Sequence, residues 1–301
     1  MKRLLILVLC MGLTLSLFGC TSTPAPTDPP LFPTEATAPQ ITPTEKPTEP
    51  EPEELVLVDN ADCAFTITGY EDNAHLGLQI QVLCENKSDR PLMFSWNNVS
   101  VCDYMYEPMW AEEVAPGKKV HSTVGIDTYL LEQIHVDSVD QVVFTLTVRD
   151  SEEFMNQPVV DSGFCIYPTG KTPEQVVFPQ YRHTEGETVI TENDTLTFII
   201  TEVDDELSEL YTLRCYLRNN TGKNLIISWE DVSVNGFMVN PFWSVAVGAG
   251  MQAYSDILFY RSDLEQQDIE VVQNIEFRLQ AMDYDDWNSD YLFDEVFTFK
   301  P

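Results

Sequence analysis

Basic side chains are scarce: 16 Lys and Arg stand against 49 Asp and Glu in 301 residues, a formal net charge of −33. A surface of that sign repels phosphate, which excludes a basic groove for nucleic acid and a polybasic patch for anionic lipid headgroups. Histidine is rarer still, with only His75, His121, His135 and His183. None clusters with other ligands and no C-x₂-C spacing occurs, so no zinc site is expected. The chain also lacks G-x-S-x-G, H-E-x-x-H and any glycine-rich phosphate loop, which are the common signatures of nucleophile, metal and phosphate chemistry. Carboxylate pairs are too abundant in so acidic a chain to mark glycosidase chemistry. No enzyme activity and no cofactor are therefore expected. Long apolar runs are missing too: the longest, Leu4 to Phe18, falls short of the ~20 residues a membrane-spanning helix needs.

That short run is nonetheless informative. Lys2 and Arg3 precede it, and Gly19-Cys20 followed by Thr/Pro-rich polar sequence closes it, the three-part layout of a secretory signal peptide. Leu17-Phe18-Gly19-Cys20 resembles a bacterial lipobox, with an aliphatic residue at −3, a small one at −1 and the cysteine that is lipidated. Phe18 departs from the small or polar residue usual at that position. The expectation is a signal peptide over 1–19 and a lipid anchor at Cys20, holding the protein on the extracytoplasmic face of the bacterial cell membrane. A plain secreted protein in which Cys20 is incidental is the alternative. Removing residues 1–19 takes two positive charges with it and leaves −35.

Residues 20–58 hold ten of the nineteen prolines, with many Thr and Glu and hardly a large apolar side chain before Leu55. Such a segment buries too little to offset the ordering of its backbone, and in polyproline-like form it reaches on the order of 100 Å. It reads as a disordered tether lifting a folded part off the membrane.

Beyond it lies an internal repeat. Phe94-Ser95-Trp96-Asn97-Asn98-Val99-Ser100-Val101 returns as Ile227-Ser228-Trp229-Glu230-Asp231-Val232-Ser233-Val234, an offset of 133 residues. The same gapless offset matches Phe65 with Phe198, Asn86 with Asn219, Trp110 with Trp243, Gly117 with Gly250 and Asp150 with Asp283. Residues 59–168 against 192–301 give 28 identities in 110 positions, so the chain carries two copies of one domain joined by a linker at 169–191.

Within each copy short stretches alternate apolar and polar residues, as half-buried strands do. Leu78, Ile80, Val82 and Cys84 share one face, as do Tyr211, Leu213, Cys215 and Leu217. Phe144, Leu146 and Val148 correspond to Phe277, Leu279 and Ala281. Turn formers separate these runs, among them Asn86 to Pro91, Asn219 to Lys223, Pro116-Gly117 and Gly248-Ala249-Gly250. One helical turn or two is expected at 129–134 and at 262–267, the second started by a Ser262-x-x-Glu265 capping box. About seven strands in ~110 residues describe an antiparallel β-sandwich. The strand from Leu78 to Leu92, the following V-S-V hairpin and the P-G-K/M turn resemble those of immunoglobulin-like, or telokin-like, domains of unknown function in lipoproteins of Gram-positive bacteria. The resemblance implies two tandem immunoglobulin-like sandwiches at the cell surface and supplies no catalytic residues.

The remaining candidates are few. Trp96, Trp110, Trp229 and Trp243 either pack or line a surface for a sugar or peptide, and Trp110 and Trp243, each two residues after a proline, are the pair expected to be exposed. Cys63, Cys84 and Cys215 stand where the other copy has an apolar residue, which suits small buried hydrophobes. A Cys63–Cys165 disulfide is opposed by parity, which turns Cys165 outward. The run from Asp283 to Asp290 is either a solvated hairpin or a loose calcium loop; its spacing does not fit an EF-hand. The expected function is a lipid-anchored, non-catalytic pair of binding domains whose partners are the membrane, through Cys20, and an unknown protein or glycan. The alternative is an extracytoplasmic hydrolase with a site between the domains that gathers His183 and linker acids.

Overall fold

The computed structural model describes residues 54–205 and 209–301; the segment read as a signal peptide, Cys20 and the tether as far as residue 53 lie outside them. The first copy runs through strands β1 (Leu55–Asp59), β2 (Cys63–Asn73), β3 (Gly77–Asn86), β4 (Leu92–Val101), β5 (Tyr104–Tyr106), β6 (Ala111–Val114) and β7 (Lys119–Ile126). Helix α1 (Thr128–Gln133), β8 (Val142–Asp150) and β9 (Val160–Ile166) complete it. After a 3-10 turn at Pro173–Gln175 the series returns as β10 (Thr188–Glu192), β11 (Leu196–Asp204), β12 (Leu210–Asn219), β13 (Leu225–Val234), β14 (Phe237–Met238), β15 (Ser244–Val247) and β16 (Gln252–Tyr260). Helix α2 (Arg261–Glu265), β17 (Ile275–Asp283) and β18 (Phe293–Phe299) close the second copy. Every element of the second copy begins 133 residues after its counterpart. The expected boundaries at 59 and 192 move to 55 and 188, because Leu55–Asp59 and Thr188–Glu192 pair along β2 and β11. Leu57 and Val58 pack on the first core and Ile190 on the second.

The architecture is all-β. In the first copy the sheet β1-β2-β3-β7 covers the sheet β5-β4-β8-β9, with β6 added to β4. In the second, β10-β11-β12-β16 covers β14-β13-β17-β18, with β15 added to β13. The alternating residues point inward as their period of two requires: Ile80, Val82, Leu213 and Leu217 are all buried. Each core is built on the same aromatic motif. Trp96 stacks on Phe144 at 3.6 Å and Trp229 on Phe277 at 3.7 Å, while the second tryptophan meets the first edge-on at 6.1 and 6.0 Å. These stacked and edge contacts add to the area that the rings bury.

Several shared identities are explained by hydrogen bonds rather than by packing. Asn86 and Asn219 are buried at the end of β3 and β12. The Asn86 amide donates to the carbonyls of Arg90 and Val114 at 2.7 and 2.8 Å, and the Asn219 amide to Lys223 and Val247 at 2.7 and 2.9 Å. Each side-chain oxygen accepts from the backbone two residues on, at Ser88 or Thr221. One side chain thus closes the turn and ties it to a neighbouring strand. The basic residue of the same turn then pairs with the carboxylate ending the next-but-one large strand, Arg90 with Asp150 and Lys223 with Asp283.

Helix α1 is capped by Asp127, whose carboxylate accepts from Leu130 N at 2.9 Å. The expected capping box at Ser262 is not formed: α2 starts at Arg261 and its N-cap is Tyr260, with no side-chain cap bond. Strand β16 runs straight into that helix and leaves no turn in which Ser262 could stand outside it. Cys63, Cys84, Cys102 and Cys215 are buried, Cys165 is exposed, and all five are free thiols. Burial pushes the Cys63 thiol up to about 11 and the Cys84 thiol up to about 12, so neither is a reactive thiolate near neutral pH.

Replacing Asn219 with Ala should lower the unfolding free energy by about 2–4 kcal/mol, since it strands several buried backbone groups at once. Urea denaturation of N219A against the parent chain measures this.

Candidate functional site

The tryptophans do not form the expected exposed pair. Trp243 is 8% exposed, and Trp110 packs half-buried on the first core. Each indole N–H donates to a serine hydroxyl on the facing strand, Trp110 to Ser122 at 3.1 Å and Trp243 to Ser255 at 2.9 Å. A proline two residues earlier turns the chain so that the intervening residue, not the tryptophan, faces water. Met109 and Phe242 accordingly stand almost wholly exposed. Phe242 has φ 47°, a conformation costly for an aromatic residue.

The most elaborate polar and aromatic assembly lies where the two copies meet. Strands β5 and β16 pair in parallel at Tyr104 and Gln252, and Gln252 N donates to the Asp103 carbonyl at 2.9 Å. This bridge joins one sheet from each copy into a single nine-stranded sheet. Around it runs a chain of rings: Tyr104 stacks on Tyr254 at 5.7 Å, Tyr254 meets Tyr216 at 5.6 Å, and Tyr216 stacks on Tyr181 of the linker at 3.8 Å. Tyr104, Tyr216 and Gln252 are all buried, and the Tyr216 hydroxyl donates to Gln252 Oε1 at 2.7 Å. Burial pushes the Tyr216 and Tyr254 phenols up to about 12, so they remain neutral donors throughout the physiological range. Ile199 and Tyr216, on the outer face of the second copy's sheet, belong to the hydrophobic core of the first.

The linker is pinned rather than slack. The Tyr181 hydroxyl donates to Glu187 Oε2 at 2.5 Å, and His183 Nδ1 bonds the other carboxylate oxygen. Burial pushes the Glu187 pKa up, but the bonds from Tyr181, Thr184 and His183 outweigh it and hold the carboxyl below its ordinary range.

Two clefts flank the β5 hairpin. One, of ≈260 Å³, is formed by Tyr104, Tyr254, the end of α1 and linker residues 177 and 179–182. Its lining includes His135 and Arg182 but no carboxylate, thiol or serine, and His183 with Glu187 lies outside it. The other, of ≈430 Å³, lies between Asn98, Ser100, Val143 and Thr145 of the first copy and the 246–251 turn of the second. Asn224, Tyr284 and Asp285 of the second copy also line it. In the acidic run, Asp283 is engaged by Lys223 and Asp285 N, and Asp285 by Asn224. Among the described residues no group of three or more His, Cys, Asp or Glu is placed to hold a metal ion.

None of the joint's tyrosines was singled out by sequence reasoning, although a signal existed. Phe198-Ile199-Ile200 is apolar on both faces, where the first copy has Phe65-Thr66-Ile67. A strand that abandons alternation is covered on both sides.

The depressed Glu187 pKa sets a pH dependence. A carboxyl held low in the folded state contributes stability that is complete above its unfolded value of about 4.3 and is lost as pH falls through the folded value. Substituting E187Q should therefore lower stability at neutral pH and make the acid limb of the stability curve less steep, as measured by urea unfolding between neutral pH and pH ~2.

No protein-family model matches the chain, and no curated protein matches it. Among solved structures, the chain shows 10% identity and a TM-score of 0.23 to the Salmonella enterica SafA pilin in complex with the SafB chaperone, over 79% of this chain and 96% of that one. To the exo-chitosanase CsxA of Amycolatopsis orientalis the identity is 11% and the TM-score 0.21, over 77% of this chain and 26% of that one. At these TM-scores neither likeness bears on function.

Proposed function

We propose that the protein is a lipid-anchored surface protein of the extracytoplasmic face of a bacterial membrane, related to the immunoglobulin-like domains of Gram-positive lipoproteins, and that its paired sandwiches serve as a non-catalytic binding module. The observation that carries this reading is the order of parts along the chain: Lys2-Arg3, a short apolar run, Leu17-Phe18-Gly19-Cys20, and then a proline-rich spacer before the first strand. Lipid at Cys20 and a spacer of that length set a folded body away from the bilayer, and the charge of −35 left after residues 1–19 are removed keeps it from lying down on anionic headgroups. Met109 and Phe242, one exposed apolar residue at the same place on each sandwich, provide matched contact points, and two such points on one body strengthen binding through effective concentration.

Expressed in bacteria fed a labelled fatty acid, the parent chain should incorporate label and partition into detergent, whereas C20S should do neither; a parent chain that stays unlabelled refutes the anchor. For the binding role, immobilised parent chain and M109S/F242S should differ in what they retain from envelope extract. Identical retention by the two would remove these residues from the contact surface.

A further inference from the structure

The joint between the two copies is heterologous: an edge hairpin of the first copy, β5, meets an edge strand of the second, β16. Each copy carries both halves of such a joint, and only one half of each is used. The unused hairpin is β14, which ends the sheet order β14-β13-β17-β18, and the unused strand is β7, which ends β1-β2-β3-β7. The chain therefore presents the donor half of its own internal contact at one edge and the acceptor half at another.

The donor half has kept its chemistry. Tyr104-Met105 of β5 corresponds to Phe237-Met238 of β14. Tyr104 is 1% exposed under the second copy and Met105 packs on that copy's core, whereas Phe237 and Met238 are 48% and 67% exposed. The β14 hairpin is rigid. Its turn residues Asn235 and Gly236 have φ 52° and 86°, as a two-residue primed turn requires. The Asn235 side chain donates to the Val271 carbonyl at 2.8 Å and accepts from the amides of Gln273 and Asn274. Exposed Val271 continues the apolar surface. An apolar hairpin edge held in this way is a ready template for another strand.

We propose that β14 docks on the β7 edge of a second copy of this chain, joining molecules head to tail. By the 133-residue repeat, Lys119 of the other molecule would stand opposite Phe237 as Gln252 stands opposite Tyr104, and its amide would meet the Gly236 carbonyl. Charge favours this pairing. Lys118 precedes the β7 edge and Lys119, which also pairs with Glu85, begins it, while Glu230, Glu270 and Asp231, the last also paired with Arg278, lie on the second copy's side of the contact, on β13 and beside Val271. The acceptor face is smaller and more polar than its internal counterpart, with Thr66, Leu83 and His121 in the places of Ile199, Tyr216 and Tyr254. Between molecules the contact is thus weaker than within one. A heterologous contact of this kind leaves a donor edge and an acceptor edge free at the two ends of a pair, so growth continues beyond it into a ring or a filament.

Sedimentation velocity on residues 50–301, the compact unit that contains both cores, tests this from micromolar to near-millimolar concentration. The weight-average sedimentation coefficient should rise with concentration, past that of a dimer at the upper end, and should fall back with added salt. F237S/M238S alters only exposed side chains and should weaken association about tenfold or more, and K118E/K119E should weaken it from the other side. A chain that stays monomeric throughout overturns the proposal. So does association that saturates at a dimer, or that neither double variant changes.

Discussion

A sheet edge is an unfinished structure, with a row of backbone donors and acceptors that either meets another strand or stays open to one. The second copy's edge strand Gln252–Tyr260 is completed by a single parallel bridge to Tyr104, and most of what distinguishes this molecule from two beads on a string follows from that contact. One backbone pair holds little by itself. It is effective because Tyr104, Tyr254, Tyr216 and the linker's Tyr181 stack around it and exclude water, while the Tyr216 hydroxyl satisfies the buried Gln252 amide oxygen. The linker is drawn into the same assembly through Tyr181, whose ring stacks on Tyr216 and whose hydroxyl bonds Glu187, so the two sandwiches are joined at two points and not by a hinge.

The duplication separates two kinds of selection. Positions on which the copies agree serve the inside of each sandwich: the paired tryptophans with their serine acceptors, the turn asparagines, and the cation–carboxylate pairs Arg90–Asp150 and Lys223–Asp283. Several outer-face positions on which they differ serve the joint. Thr66 against Ile199, Lys119 against Gln252 and His121 against Tyr254 are changes that turn a wetted outer face into a covered one. The same comparison accounts for the exposed Phe237-Met238 hairpin, which retains the apolar character of its buried counterpart without the cover.

The acidity of the chain is handled locally. With few cations available, several are placed where strands bring carboxylates together, as Arg214 is between Glu202 and Asp204. Asp256, opposite Arg214 in register, pays for its position in a raised pKa, because burial outweighs the guanidinium's attraction. Exposed pairs of this kind add little to stability. Their role is to let a strongly negative surface close over apolar cores without leaving like charges side by side.

Read along the chain, alternation, turn chemistry and the gapless 133-residue repeat were sufficient for the two-sheet sandwich, for the buried faces of the β3 and β12 strands, and for the outward turn of Cys165, because strand period and local turn geometry depend on near neighbours. They misplaced Trp110 and Trp243, since which residue of a Pro-x-Trp segment faces water is set by the strand it lies against and by the Ser122 and Ser255 hydroxyls that reach the indoles. They also passed over Tyr104, Tyr181, Tyr216 and Tyr254, four residues that are scattered through the sequence and meet only when one sheet edge finds another. The sequence by itself determined what each copy folds into; tertiary structure alone decided that the copies share a sheet, because that depends on contacts between residues more than a hundred positions apart.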